Sequence, residues 1–140
     1  MQTLHDSRAA SASRVRALAA AGALLALAAV AAGAFGAHAL KNSLSSDRLG
    51  VFETAVRYQT VHALALFACA WVHQSWPSRV ALAAGACFVA GAVLFCGSLY
   101  LLVLLDQPRF GIATPFGGIA FLAGWLLLTA AIVRSGKPAG

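Results

Sequence analysis

Apolar residues run without a charge from Ala17 to Leu40, from Val80 to Leu105 and from Phe116 to Val133. A helix rises about 1.5 Å per residue, so roughly 20 residues cross a hydrocarbon core about 30 Å thick; the first two runs are long enough and the third is close to it. Thr114-Pro115 ahead of the last run offers an N-capping side chain and then a proline where a first helical turn accepts one. A fourth run is weaker. Its unbroken apolar stretch, Ala63 to Val72, is flanked by His62 and His73, and only the interval Tyr58 to Trp76 has spanning length, with aromatic residues where the two interfaces would lie. This helix cannot face lipid all round, because its polar groups would then lose water without gaining partners.

Between the first and second runs, Ser45 to Arg57 (SSDRLGVFETAVR) places Leu49, Phe52 and Val56 on one helical face and Asp47, Arg48, Glu53 and Arg57 elsewhere. That pattern predicts a short helix lying in the interface, with Glu53 and Arg57 spaced for an i, i+4 pair. The fold expected is therefore all-α: an integral membrane four-helix bundle, helices about 17–40, 58–76, 80–105 and 116–133, with a short interfacial helix between helices 1 and 2. A polar tail covers 1–16 and another follows 134. Asp106, Gln107 and Arg109 read as a solvated turn.

Small residues recur every seven positions: Gly22, Ala29 and Gly36 in the first helix, Ala84, Gly91 and Ser98 in the third, Gly117, Gly124 and Ala131 in the fourth. Membrane helices gain little from hydrophobic association with each other, so small side chains that let backbones approach are the usual packing signal, and a period of seven keeps them on one stripe.

Composition narrows the class. The chain is 61% hydrophobic and 10% charged, far below the roughly 25% charged residues of a soluble domain. Its net charge of +6 would suggest nucleic acid in a soluble protein, but here the basic residues stand singly beside apolar segments, where they meet anionic headgroups and set orientation. Arg8, Arg14 and Arg16 precede the first run to insert, and four spans put both termini on one side, so both are expected in the cytoplasm. Ala37-His38-Ala39 also fits the A-x-A cleavage pattern of a signal peptide, but the preceding apolar run is longer than such peptides carry, which favours a retained helix. Cys69, Cys87 and Cys96 are odd in number and lie inside apolar runs, as inert packed thiols do.

Candidate chemistry is confined to a polar set. Tyr58, His62, Cys69 and His73 share one face of the second helix, which should point inward, while Arg57 lies about 140° from His62. His38, at the outer end of helix one, is expected at a depth similar to His62. Paired histidines on neighbouring helices can ligate haem or a metal, but no C-x-x-C-H motif accompanies them, and Cys69 with His73 supplies only two zinc ligands. The candidate site is the intramembrane or interfacial cluster His38, Glu53, Arg57, Tyr58, Gln59 and His62, read either as fastening and orienting helices or as lining a binding or conducting path. No catalytic residue, metal site or cofactor is expected.

GAFGAHALK, then FETAVRYQ with HALAL after it, LFCGSLYLL and TPFGGIAFLAGW occur in that order between about Ala32 and Ala131. In these motifs the chain resembles the small membrane proteins of the domain of unknown function 423 family, which are similar to transmembrane protein 256. The resemblance implies four membrane helices in a bacterial inner membrane and no known reaction. The function expected is a small structural or interaction protein, non-enzymatic, whose partners are the lipid bilayer and either further copies of itself or other membrane proteins, not nucleic acid. The alternatives are a subunit of an oligomeric transporter or channel with a polar path near His38, Glu53, Arg57 and His62, and last a haem or metal redox protein.

Overall fold

The computed structural model describes residues 2–135, with side chains over 8–134, and every regular element among them is helical. Helix α1 (Gln2–Phe35) widens into a π turn (Gly36–Leu40), and α2 (Ser46–Ser75) returns antiparallel to it. Helix α3 (Arg79–Gly91), a second π turn (Ala92–Cys96) and α4 (Gly97–Leu104) form one rod; a 3-10 segment (Pro108–Ala113) then leads into α5 (Thr114–Ser135). Among the described residues, three stretches are long and apolar enough to cross a membrane: Arg8–Leu40, Arg79–Leu104 and Pro108–Arg134. Their outer faces are apolar, with Leu24, Leu27 and Val30 on α1 and Ile119, Leu122 and Leu126 on α5 all exposed.

Helix α2 is the centre of the packing. It carries the fully buried Leu66, Cys69 and Val72, which cluster with Ala81, Ala84 and Phe88 of α3 and with Phe121, Leu128 and Ala131 of α5, while the equally buried Ala63 lies against Gly22 of α1. Helix α1 lies along α2, and α5 lies along α3; contact between α2 and α5 is slight. The small-residue stripe is the device that brings these rods together, for all nine of its positions are buried. At Gly22 a methyl group would lie 2.9 Å from the Ala63 carbonyl oxygen, and at Gly36 it would lie 3.1 Å from the Phe52 ring.

Three expectations are corrected. Ser45 to Arg57 is not a separate interfacial helix: from Ser46 it forms the first turns of a continuous α2. Gly50 is too weak a breaker to end a helix whose Phe52 and Ala55 are already buried at 2% and 0% exposure. Thr114 does not cap α5, because the preceding 3-10 segment gives it helical geometry; its hydroxyl bonds Ser98 Oγ at 2.7 Å instead. Since Ser98 Oγ–H donates to the Phe95 carbonyl at 2.9 Å, Thr114 is the donor of the pair. The turn at Asp106 is structured: Asp106 takes φ 54°, Gln107 N–H returns to the Leu102 carbonyl at 3.2 Å, and the Asp106 carboxylate pairs with Arg48. This is a Schellman-type stop, with Asp in the left-handed position that glycine usually fills.

Candidate functional site: the polar face of α2

The inward face of α2 is polar because its side chains find partners on three other elements. Gln59 is 5% exposed and its Nε2–H donates to the Leu25 carbonyl of α1 at 2.9 Å. His62, 4% exposed, sits on the opposite side toward α5. Its Nδ1 lies 2.7 Å from the Tyr58 carbonyl and its Nε2 accepts the Trp125 indole N–H at 3.1 Å. An acceptor at Nε2 and a carbonyl at Nδ1 assign the neutral tautomer with the proton on Nδ1. Its ring stacks on Phe121, with centroids 3.5 Å apart and planes 11° from parallel, and Phe88 covers it at 5.6 Å. Tyr58 stacks on Phe95 at 4.6 Å.

One turn of π-helix makes room for this. At Ala92–Cys96 the Gly97 N–H reaches back to the Ala92 carbonyl, widening the rod where Phe95 meets Tyr58 and Gly117. Tyr58, Val61, His62, Phe95, Ile119, Phe121 and Trp125 are among the residues bounding a groove of about 490 Å³ between α2 and α5, apolar apart from the tyrosine hydroxyl and the His62–Trp125 pair.

The sequence-predicted cluster does not converge. Gln59, His62 and Tyr58 fasten helices, whereas Glu53 and Arg57 are exposed on the other side of α2, at the edge of a shallow groove of about 210 Å³ with Gly33, Gly36 and Ala37. The ion pair that forms joins Arg48 to Asp106; the Glu53–Arg57 pairing expected from their spacing does not. His38 is exposed in the first π turn and stands far from His62. Antiparallel packing places Gly22 beside Ala63 and Gly36 beside Phe52, so the two histidines are offset by about 20 Å along the helix axis. The expectation of similar depth is thus overturned, and with it any shared ligand.

Of the polar face expected on α2, His62, Cys69 and His73 are buried, at 4%, 0% and 3% exposure, and Tyr58 is at the rim. Both ring nitrogens of His62 are engaged, and among the described residues no three His, Cys, Asp or Glu side chains converge on a point. Sequence reasoning missed Phe88, Phe121 and Trp125 as partners of His62. The available signal was Phe121 and Trp125 spaced i, i+4 on one face.

The model of a family described as protein of unknown function, DUF423, matches residues 32–118. The chain belongs to this family. Among DUF423 relatives, a UPF0382 membrane protein of Staphylococcus aureus (strain bovine RF122 / ET3-1) is 43% identical over 113 residues, covering 81% of this chain and 92% of its own. The UPF0382 membrane protein YwdK of Bacillus subtilis (strain 168) is 40% identical over 114 residues, covering 81% and 93%. The UPF0382 inner membrane protein YgdD of Escherichia coli (strain K12) is 37% identical over 102 residues, covering 73% and 78%. No solved structure matches the chain. His38, Glu53, Arg57, Tyr58, Gln59 and His62 all fall within the DUF423 match, whereas Phe121 and Trp125 lie just past its end. This DUF423 protein is a membrane protein of a family whose activity is uncharacterised.

Proposed function

We propose that the chain is a four-span protein of the bacterial inner membrane, both termini cytoplasmic, that acts through its contacts with lipid and neighbouring proteins and performs no catalysis. α2 is the fourth span, its polar face turned inward and its Trp71 and Trp76 at one interface. The observation that carries the reading is that His62 and Gln59 are spent: every polar atom of His62 is bonded within the fold, and the Gln59 amide fastens α1. A conducting path needs polar groups aligned toward one lumen, and here Glu53 and Arg57 face away from His62. YgdD, named an inner membrane protein, supports the location. The excess of basic residues at the end bearing Arg8, Arg14, Arg16, Arg79 and Arg134 supports the sidedness.

Liposomes containing the purified chain, loaded with pH- and potential-sensitive dyes, test this. Under an imposed gradient they should leak no faster than empty liposomes. A flux that the His62→Ala variant abolishes while remaining folded would establish a conducting protein instead.

A further inference from the structure

At the end of the molecule away from Arg48 and Asp106, α1 turns Arg8, Ser11, Ala12, Val15 and Arg16 toward Gln74 and Pro77, enclosing a cleft of about 590 Å³. The spacing of these α1 residues is that of a single helical face. The cleft lies where the charge-free run of α1 begins, at Ala17, and where α2 ends, at Ser75, which is headgroup level for that leaflet. Both arginines are exposed, and the acidic side chains described, Asp47, Glu53 and Asp106, are all toward the opposite end; Asp6 lies outside the described side chains.

The polar wall of the cleft is set by a buried histidine. His73, 3% exposed, meets both the Ser78 N–H (3.1 Å) and the Ser78 carbonyl oxygen (3.0 Å) at Nδ1, and its Nε2 lies 3.4 Å from Ser11 Oγ, which holds the Ser11 side chain at the cleft wall. Two guanidinium groups, a hydroxyl and an amide thus surround a floor of Ala12, Val15 and Pro77. Guanidinium forks match phosphate oxygens, and basic pockets between membrane helices suit anionic headgroups.

We infer that this cleft is a binding site for one anionic phospholipid. Arg8 and Arg16 take its phosphate, Ser11 and Gln74 bond its glycerol hydroxyls, and its acyl chains descend along Val15. Its arginines and Ser11 precede the stretch matched by the family, whereas Gln74 and Pro77 fall within it.

Native mass spectrometry of the full chain in detergent, titrated with phosphatidylglycerol or phosphatidylcholine, tests this. One phosphatidylglycerol should be retained per chain, preferred over phosphatidylcholine by about thirtyfold, as two arginines near a headgroup supply. The double variant Arg8→Gln/Arg16→Gln should lose that preference. Arg14→Gln/Arg134→Gln removes the same charge at sites outside the cleft and should keep it. Equal loss in both double variants would reduce the effect to general attraction and overturn the site. So would the absence of any preference in the unmodified chain, or displacement of the lipid by millimolar inorganic phosphate, which would assign the cleft to a free anion.

Discussion

Gly117→Ala is expected to lower stability in mixed detergent micelles by about 1–3 kcal/mol or more, as overpacking of a close contact does. The added methyl would collide with the backbone nitrogen of Phe95 and sit 2.7 Å from its Cβ and 2.8 Å from its Cα. A rotamer change relieves a clash with a side-chain tip, but here the obstacle is main chain, so α5 must move away from the α3–α4 rod. That movement strains the Ser98–Thr114 bond at 2.7 Å, which ties the rod to the start of α5, and the His62–Trp125 bond at 3.1 Å, which ties α5 to α2. Gly97→Ala is the control. A methyl there meets nothing within 4 Å, and replacing a helical glycine should be neutral or add up to about 1 kcal/mol. Unfolding of both variants by increasing dodecyl sulfate, followed by circular dichroism, reads the difference. Equal midpoints would mean that close backbone approach does not hold α5.

His62→Ala should cost about 2–4 kcal/mol, combining a cavity with a stranded donor. The ring it removes is stacked on Phe121 at 3.5 Å, and the Trp125 indole N–H loses its acceptor. Trp125→Phe separates these parts. It keeps most of the ring volume and deletes only the donor, so its hydrogen-bond share should be about 0.6 kcal/mol and no more than roughly 1.7, the range found between membrane helices. In the double-mutant cycle the two changes should couple by a similar amount, measured by the same unfolding assay. Zero coupling would leave the His62–Trp125 contact without an energetic role.

Much of this architecture was legible in the chain, and the legible part has a common cause. A helix in lipid is chosen by its composition, so Ala17–Leu40 and Val80–Leu105 announce themselves by length alone. The positions at which backbones meet must be small, so a period of seven marked Gly22, Gly91, Gly117 and their companions before any partner was known. Helix α2 resisted for the opposite reason. Its polar residues are tolerated by virtue of tertiary contacts, and a sequence carries no record that Gln59 will find the Leu25 carbonyl or His62 the Trp125 indole. Grouping Glu53 and Arg57 with His62 rested on closeness in sequence, yet a helix sends such neighbours to different sides. Likewise the supposed equal depth of His38 and His62 assumed that α2 begins at Tyr58. It begins at Ser46, twelve residues earlier, and the whole antiparallel register shifts with it.

The central claim is that α2 crosses the bilayer although its composition is the least apolar of the long helices. Single cysteines at Asp47→Cys and Gln74→Cys, in a chain whose Cys69, Cys87 and Cys96 are replaced by alanine or serine, test it directly. A membrane-impermeant maleimide is applied to intact spheroplasts and to inverted vesicles. Labelling of position 47 from the outer side only and of position 74 from the cytoplasmic side only is the predicted result. Labelling of both from the same side would contradict it.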